Sequence, residues 1–541
     1  FTLAVSSGQE LVTAAPSYLS YALDQPETRV LALVLEAVRQ PGQLRDVLAS
    51  AAGRGIPVVL LTAGSSAGGR AMVAAHSGAL AGTDGAWEAL TRAYGLHRAF
   101  DLAELADTLE LFSLQGSRRG RTGPGSVRGI ATVHDSGLER AHAADVAEHA
   151  GVPFAAISDQ TRARLQELLD PGLLPANPLD VWGTGADTRE LFGECLVTLA
   201  RDESVDAVAL AVDLVPELDG DDSYQLAALD AAELTAKPIA LISNLACAID
   251  QAAAATLRGS GIPVLEGMRT GMLALRHLLD HQGRTQPTKP GGPGDAASRA
   301  GNDAVIGPAA GPASPGAIGR LARARELLAQ GERTGAAQLA LLREYGIPAV
   351  RAEQVATADE AVAAAARIGY PVVLKTDRPG IAHKSDAGGV ILRITSDEQL
   401  VAAYAELTAR LGPAALVCET ASPGTELALG VVRDPALGPM IVVGAGGVLV
   451  ELIADRAVAL PPVSQEQAAA LLGELKVRAL LAGARGGKPA DLGAVTRAIT
   501  GLAELAGELG EDIDALDINP LVCGPHGAVA VDALVIRRTG H

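Results

Sequence analysis

Residues 57–70 have the sequence PVVLLTAGSSAGGR, in which a short apolar run ends in a loop of glycine and serine. A run of about six apolar residues is typical of a buried strand in a parallel sheet, whose two faces are covered by helices. A loop of small residues after such a strand offers free backbone N–H groups to an anion. The stretch therefore predicts an α/β domain with an anion-binding loop at the edge of its sheet.

Similar apolar runs recur through the first half of the chain and alternate with alanine-rich helical patterns. They occupy residues 30–35, 129–134, 206–212, 238–243 and 262–265. This alternation indicates βα units on parallel sheets. We predict two such α/β domains, at 1–117 and 118–282, because a polar segment rich in glycine and arginine at 116–125 separates them.

The second half has a different pattern. Residues 283–316 contain 8 glycines and 6 prolines in 34 positions, so we predict a flexible linker there. A predicted helix at 317–345 follows, and then a mixture of strands and helices. The predicted strands lie at 371–375, 389–394, 414–419, 427–432, 440–443, 515–518 and 528–532. Residues 317–541 are therefore expected to form a separate α+β domain.

Composition excludes several classes of function. The net charge of the 541 residues is −19 and we find no basic segment with interleaved aromatic residues, which argues against a nucleic-acid partner. The longest apolar run, 438–450, is shorter than the roughly 20 residues that cross a membrane. The four cysteines form no CxxC pair or disulfide-framework spacing. We expect a reduced, cytoplasmic protein that binds neither nucleic acid nor membrane.

One histidine lies among small residues. Residues 75–82 read AHSGALAG, shortly before a helix predicted to start at Asp84. An imidazole near a helix start could be phosphorylated and held by the helix dipole. The alternative is a loop histidine that makes only local hydrogen bonds, and these residues alone leave both open.

A lysine ends an apolar strand in the second half. Residues 370–375 read YPVVLK, and GIAHKSDAGG follows at 380–389. The chain has six lysines among 44 basic residues, which leaves 38 arginines, so a lysine is an uncommon choice. The ammonium of Lys375 could reach nucleotide phosphates. The alternative is a surface lysine whose stem covers apolar groups.

Three later features suggest parts of a nucleotide site. Residues 417–420 close a strand whose exposed backbone edge could meet an adenine. Residues 444–447, GAGG, form either a loop that faces phosphate or an ordinary turn. Asn519 and Asp532, on the last two predicted strands, offer oxygen atoms of the kind that Mg²⁺ prefers.

Four motifs together resemble the ADP-forming acyl-CoA synthetases, which are relatives of succinyl-CoA synthetase. In order they are AHSGALAG at 75–82, NPLD at 177–180, HKSDAGG at 383–389 and DINPL at 517–521. The similarity covers nearly the whole chain except the linker. It implies two flavodoxin-like domains followed by an ATP-grasp domain.

The resemblance also assigns roles to residues. It implies that His76 is phosphorylated, that Glu36 orients the phosphohistidine and that His383 relays the phosphoryl group to nucleotide. Lys375 would contact phosphates. The remaining implied nucleotide residues are Cys418, Glu419 and Thr420 at the adenine, Glu426 nearby, Gly444, Gly446 and Gly447 at the phosphates, and Asn519 and Asp532 at Mg²⁺.

The function implied is an acid–CoA ligase. It would interconvert a carboxylic acid, CoA and ATP with acyl-CoA, ADP and phosphate, through acyl-phosphate and phosphohistidine intermediates. The acid remains open among acetate, other short or branched acids, dicarboxylates and aromatic acids. Residues 180–185, DVWGTG, resemble members that act on aromatic or larger acids, although Trp182 has plain packing as its alternative role.

Two other functions compete with this one. The first is a non-catalytic module that senses nucleotide or acyl-CoA inside a larger fusion protein, and the presence of both His76 and His383 argues against it. The second is an unrelated ATP-grasp ligase that forms amide bonds, for which the His76 domain has no evident use.

The chain departs from the family pattern in two ways. Many relatives read Ser-His-Thr-Gly-Ala where this chain has Ala75 and Ser77, so one hydroxyl near the imidazole is lost. Family members usually begin with a CoA-binding domain, and the match here begins at the domain after it. We expect that CoA-binding domain upstream or on a partner, and we expect a homo-oligomer.

Overall fold

The computed structural model consists of two compact units. It describes residues 1–541 except 65, 67, 69–83, 116–127, 182–186, 284–314, 332–333, 382–383, 385–386, 448–454, 487 and 539–541. The first unit holds the described residues of 1–63 and 94–287, and the second holds those of 64–74, 78–93 and 288–541.

The described part of residues 1–115 contains a three-stranded parallel sheet. The elements are α1 (Ala15–Leu23), β1 (Leu31–Leu35), α2 (Pro41–Arg54), β2 (Val58–Thr62), α3 (Asp84–Tyr94), β3 (His97–Ala99) and α4 (Leu102–Gln115). The strand order is β1–β2–β3, with Leu31 opposite Val58 and Val59 opposite His97. The strands predicted at 30–35 and 57–62 and the helix from Asp84 are confirmed, whereas the short β3 was not predicted.

Residues 128–283 form a five-stranded parallel sheet. The elements are β4 (Gly129–His134), α5 (Gly137–Ala150), α6 (Asp159–Leu168), β5 (Leu179–Asp180), α7 (Thr188–Arg201), β6 (Val205–Ala211), α8 (Ser223–Leu234), β7 (Ile239–Ile242), α9 (Gln251–Gly259), β8 (Val264–Leu265) and α10 (Met268–Gly283). The order is β5–β4–β6–β7–β8, which is the flavodoxin-like order. The chain reverses direction across the sheet between β4 and β6, the place where open α/β sheets bind ligands.

The two sheets of the first unit share apolar packing. Val59 and Phe112, from the first block, belong to the same buried cluster as Ile130, Met272 and Leu275 from the second. The predicted boundary at 117/118 therefore falls between two sheets that pack through a common core. The exact boundary stays a prediction.

The second unit is built from antiparallel sheets. Its elements after α3 are α11 (Pro315–Gly331), α12 (Gly335–Glu344), β9 (Ala352–Val355), α13 (Ala358–Ile368), β10 (Val372–Thr376), β11 (Val390–Ile394), α14 (Asp397–Leu411), β12 (Ala415–Glu419), β13 (Thr425–Asp434), β14 (Gly438–Ala445), β15 (Arg456–Ala459), α15 (Gln465–Glu474), α16 (Arg478–Leu481), α17 (Leu492–Leu509), β16 (Ile513–Gly524), β17 (Gly527–Ala530) and β18 (Leu534–Arg537). One sheet has the order β11–β10–β12–β9, and the other has the order β15–β14–β13–β16–β17 with β18 paired to β16. The predicted α/β chain with an α+β C-terminal half is confirmed.

The single helix predicted at 317–345 is wrong, because the structure has two helices there. Thr334 begins the second helix, α12, and its Oγ1 accepts the backbone N–H of Ala336 at 3.2 Å. A Cβ added at Gly335 would lie 2.8 Å from Leu416 Cδ1, so α12 packs closely on β12. A local cap and a close packing contact thus divide a stretch whose composition favours helix throughout.

The amphipathic helix α17 supplies much of the core of the second unit. Its side chains Val495, Ile499 and Leu502 are buried against strands of the larger sheet, including Leu429 and Ile441. None of the helices in the described ranges is both long and apolar enough to span a membrane.

Candidate active site

Lys375 is buried at the end of β10. Its side chain is 6% exposed, and its Nζ donates a hydrogen bond to the backbone oxygen of Val531 at 2.9 Å. The same Nζ lies 3.7 Å from Oδ2 of Asp532. A surface lysine does not have this environment, so of the two alternatives the structure favours an ammonium held inside a site.

A second lysine reaches the same carboxylate. Nζ of Lys384 donates to Oδ1 of Asp532 at 2.8 Å and to Oδ2 at 3.2 Å. Lys384 was not predicted as a site residue, although it is one of the six lysines of the chain, as Lys375 is. Two ammonium groups and one carboxylate therefore form a charged cluster with a net positive charge.

A further carboxylate lies beside this cluster. Oδ1 of Asp377 accepts the backbone N–H of Gly335 at 2.9 Å, at the start of α12. Its Oδ2 is buried and has no hydrogen-bond partner among the described residues. Burial raises the pKa of Asp377, while the Gly335 N–H, the Thr334 hydroxyl and the charge of Lys384 lower it. Asp377 was also not predicted from the sequence.

The register of β16 and β17 brings the two predicted metal ligands together. Leu521 lies opposite Ala530, and the N–H of Val531 donates to the oxygen of Pro520 at 3.0 Å. Continuing this register places Asn519 opposite Asp532. β17 ends at Ala530, so Asp532 lies just beyond the strand, and the expectation that it lies on the strand is wrong.

This pair of side chains fits Mg²⁺ bound together with a nucleotide. Mg²⁺ usually takes one or two protein oxygen ligands and completes its octahedral shell with water and phosphate oxygens. Asn519 and Asp532 supply one amide and one carboxylate for that purpose. Within the described ranges, no group of three or more His, Cys, Asp or Glu residues is arranged to hold a metal on its own.

The glycine-rich turn is shorter than expected. Gly444 lies inside β14, where it pairs with Ala428 and Arg456, so its prediction as part of a loop is wrong. Gly446 and Gly447 form the turn after the strand. A Cβ at Gly446 would lie 2.6 Å from the carbonyl carbon of Leu427, which requires glycine at this position.

The turn also connects two predicted site residues. Gly447 has a φ of 69° and its N–H donates to Oδ1 of Asn519 at 3.3 Å. The carboxylate of Glu426 occupies the space that a Cβ at Gly447 would need. Glu426, Gly447 and Asn519 are therefore neighbours, as a shared nucleotide site requires.

Residues 418–420 have mainly structural contacts. β12 lies between β10 and β9, so the exposed backbone edge expected there is wrong. The carboxylate of Glu419 lies 3.2 Å from Nε of Arg351, which lowers the pKa of Glu419, and the Thr420 hydroxyl donates to Pro371 O at 2.8 Å. The thiol of Cys418 is buried, which raises its pKa to about 11.

Glu36 directly follows β1 at the carboxyl edge of the first sheet. The N–H of Ala63, which follows the neighbouring β2, donates to the oxygen of Leu35 at 3.0 Å. Glu36 thus follows the strand that lies next to β2 and Ala63, on the N-terminal side of His76 in the sequence. His76 itself and His383 lie outside the described residues.

Helix α3, except for its last residue Tyr94, belongs to the second unit. Nη2 of Arg92 lies 2.5 Å from Oε2 of Glu474, and Nη1 donates to the backbone oxygen of Val458. A Cβ at Gly85 would lie 3.3 Å from a methyl group of Val458. The residues just after the predicted phosphorylation loop are therefore tied to the unit that carries Lys375.

A second polar cluster, also not predicted, lies where the five-stranded sheet reverses direction. It contains Asp135 after β4, Glu139 in the first turn of α5, Asp213 after β6 and Asn244 after β7. Oε2 of Glu139, Oδ1 of Asp213 and both polar atoms of Asn244 are buried without a hydrogen-bond partner among the described residues. Burial, with Asp135 and Asp213 nearby, raises the pKa of Glu139 to about 7.

Two flavodoxin-like sheets combined with an antiparallel unit that directs lysines toward a paired Asn and Asp define a nucleotide-dependent ligase. Residues 323–536 match the family model of the ATP-grasp domain. Residues 1–112 match that of the succinyl-CoA ligase like flavodoxin domain.

Proteins of known activity extend this similarity to nearly the whole chain. Trans-feruloyl-CoA synthase FCS1 from an unknown prokaryotic organism is 28% identical, covering 98% of this chain and 72% of its own. Acetate–CoA ligase (ADP-forming) I of Archaeoglobus fulgidus is 30% identical, covering 98% of this chain and 73% of its own. The beta subunit of acetate–CoA ligase (ADP-forming) I of Pyrococcus furiosus is 36% identical over 40% of this chain and 99% of its own. The chain belongs to the family of ADP-forming acid–CoA ligases.

Proposed function

We propose that this chain joins a carboxylic acid to CoA while converting ATP to ADP and phosphate, with His76 as the phosphorylated residue. ATP and ADP are its nucleotides, Mg²⁺ its metal and CoA its acyl carrier. The observation that carries the proposal is the convergence of Lys375 on Asp532, opposite Asn519, in a chain of this family.

The reaction has four steps in the synthetic direction. A neutral nitrogen of His383 attacks the γ-phosphorus of ATP, so that a P–N bond forms and ADP leaves, and a neutral nitrogen of His76 then takes the phosphoryl group and frees His383. The carboxylate oxygen of the acid then attacks that phosphorus and frees the imidazole. Finally the sulfur of CoA loses its proton and attacks the acyl carbon, and phosphate leaves as the C–O bond breaks.

The residues of the second unit bind and orient the nucleotide. Lys375 neutralises phosphate charge from a buried position, and Gly446 and Gly447 let the backbone approach the phosphates. Asn519 and Asp532 hold Mg²⁺, which when bound offsets the charge that develops on the phosphate oxygens. Glu426, next to Gly447, lies beside the base.

Two residues of the proposed relay act on the phosphoryl group itself. Glu36, at the carboxyl edge of the first sheet, accepts a hydrogen bond from one ring nitrogen of His76. Because that nitrogen carries the proton, the other ring nitrogen is the nucleophile. His383 passes the phosphoryl group between nucleotide and His76, because a second imidazole is suited to transfer between sites that are too far apart for direct contact.

The relatives support the substrate class and the assembly. By their names, two of the relatives that match nearly the whole chain act on an aromatic acid and on acetate, so we propose a monocarboxylic acid as substrate. In Pyrococcus furiosus the region equivalent to 40% of this chain is a subunit of its own. We propose that this chain likewise works in an oligomer, in the reducing cytoplasm that suits its four free thiols.

Phosphorylation of His76 tests this function. The full-length protein incubated with γ-labelled ATP and Mg²⁺ should acquire a label that is stable to base and lost in acid. His76→Ala should remove the label, whereas His142→Ala, which changes an exposed histidine on α5, should retain it. Full labelling of His76→Ala would contradict the assignment. Nucleotide binding without any phosphoenzyme would favour a sensing module instead.

A further inference from the structure

Among the described residues, the ammonium of Lys384 makes its hydrogen bonds to the predicted metal ligand Asp532. Both oxygens of Asp532 accept hydrogen bonds from it, at 2.8 and 3.2 Å. These are its only hydrogen bonds within the described part of the chain. The side chains of Lys384 and Asp532 are 14% and 26% exposed, so water screens this pair less than it would a surface pair.

Lys375 differs from Lys384 in how it is anchored. It is the next-to-last residue of β10, where it pairs with Val390 and Leu416. Its Nζ donates to the backbone oxygen of Val531 and lies 3.7 Å from the carboxylate of Asp532. Its position is therefore fixed without Asp532. Lys384 lies beyond the strand, and its ammonium position within the described structure depends on Asp532 alone.

The two functions of Asp532 exclude each other. A carboxylate that gives both oxygens to an ammonium cannot also give one to a metal ion without losing part of that interaction. Mg²⁺ gives up its water shell reluctantly and binds weakly to one or two protein oxygens unless phosphates supply further ligands. Without nucleotide, the intramolecular ammonium is therefore the stronger partner of Asp532.

Binding of a nucleotide favours Mg²⁺ over Lys384 as the partner of Asp532 in two ways. Its phosphate oxygens complete the shell of Mg²⁺, and they also give the Lys384 ammonium an alternative anionic partner. The buried carboxylate of Asp377, which lies near Lys384, helps to keep a cation in this region throughout.

We propose that Lys384 is a positioning residue of the nucleotide site that holds Asp532 through both carboxylate oxygens until magnesium-bound nucleoside polyphosphate arrives, and then binds the phosphates. This inference rests on the proposed function, because it takes Asp532 as a metal ligand. It makes metal binding conditional on nucleotide, so that the free protein does not hold Mg²⁺ in an unproductive state.

Binding of Mn²⁺, as a paramagnetic substitute for Mg²⁺, tests the proposal without turnover. The full-length protein should bind Mn²⁺ weakly when no nucleotide is present, as measured by electron paramagnetic resonance. Lys384→Met should strengthen this binding about tenfold or more, since a hydrogen-bonded charge no longer competes for Asp532. Lys384→Met should also weaken binding of Mg²⁺ with a non-hydrolysable ATP analogue about tenfold, as measured by calorimetry.

Matched variants separate this effect from general damage. Lys384→Gln repeats the test with a polar side chain, and Lys384→Arg should return both affinities toward those of the natural chain. Lys488→Met, at an exposed lysine of the same unit, should change neither affinity. Adding Asp532→Asn to Lys384→Met should abolish the gain in Mn²⁺ affinity, which would locate the metal at Asp532.

The possible failures are distinguishable. If the natural chain binds the ATP analogue but Lys384→Met and Lys384→Gln leave Mn²⁺ affinity unchanged, the role of Lys384 is overturned and the proposed function stands. If the natural chain binds no nucleotide under any condition, the nucleotide site itself is wrong and the inference fails with it.

Discussion

The two polar clusters of this protein balance their charge in opposite ways. In the second unit, Lys375 and Lys384 both lie within 4 Å of one carboxylate, that of Asp532. At the edge of the five-stranded sheet, Asp135, Glu139 and Asp213 lie together without a lysine or arginine hydrogen-bonded to them among the described residues.

The two clusters reduce the unfavourable free energy of burying a carboxylate in different ways. The first cluster places two ammonium groups around one carboxylate, so it can offer positive charge to a phosphate. In the second, burial and like charges raise the pKa of Glu139 to about 7, so the cluster removes charge by holding a proton. The first arrangement suits an anionic ligand and the second suits a neutral or donor-rich one.

Removing the buried cation should have the largest effect. Lys375→Met takes away an ammonium placed for the transferred phosphoryl group, so we expect the rate of phosphoenzyme formation from labelled ATP to fall about 10²- to 10³-fold. Lys488→Met, an exposed lysine of the same unit, is the control and should label at the natural rate. Near-normal labelling of a folded Lys375→Met protein would remove Lys375 from the phosphate site.

The acidic cluster should show its raised pKa in the pH dependence of stability. The pKa of Glu139 is about 7 in the folded chain against an ordinary value near 4.5, so the folded state holds this proton more tightly. The free energy of unfolding therefore falls as pH rises from about 4.5 to about 7, and it stays lower above that range.

Glu139→Gln replaces the carboxyl group with a neutral amide of similar shape. The free energy of unfolding should then no longer fall between about pH 4.5 and 7. We expect Glu139→Gln to stabilise the protein by about 1–3 kcal/mol at pH 8 and to have little effect at pH 4.5, as measured by urea denaturation of the full-length protein. Glu148→Gln changes an exposed glutamate on the same helix and should show no such pH dependence. Equal effects of Glu139→Gln at both pH values would argue against a raised pKa.

The smallest expected effect concerns a donor to the acidic cluster. The hydroxyl of Tyr224 donates to Oδ2 of Asp135 at 2.8 Å in a half-buried position. Tyr224→Phe should lower the free energy of unfolding by about 1 kcal/mol. Tyr370→Phe removes a similar bond to Asp397, 2.7 Å long but exposed, and should cost less. A larger loss in Tyr370→Phe than in Tyr224→Phe would mean that burial does not strengthen this contact.

Much of the fold could be predicted from the sequence because its signals are local. The buried runs at 129–134 and 372–376 combine β-branched residues with a length that suits a strand, and the structure has strands there. Short or irregular elements could not be found in this way. β3 has three residues and β5 has two, which is too short for a periodic pattern. The break before Gly335 depends on packing against Leu416, which lies far away in the sequence.

The candidate site was predictable only where a single residue carried the signal. Lys375 was predicted as a site residue because it ends an apolar strand. Asp532 was predicted because it lies at the end of the strand predicted after the DINPL motif at 517–521. The contact between Lys384 and Asp532 joins residues 148 positions apart, so no local pattern reports it. The cluster around Glu139 was missed for the same reason, because three separate strand ends bring its members together.

The nucleotide products of turnover distinguish an ADP-forming acid–CoA ligase from other ATP-dependent proteins. The full-length protein, supplied with ATP, Mg²⁺, CoA and in turn acetate, a branched-chain acid, a dicarboxylate and an aromatic acid, should form a CoA thioester with at least one of them. Phosphorus NMR should then show ADP and orthophosphate in amounts equal to the thioester. Formation of AMP and pyrophosphate, or nucleotide binding without thioester from any of the acids, would contradict the account.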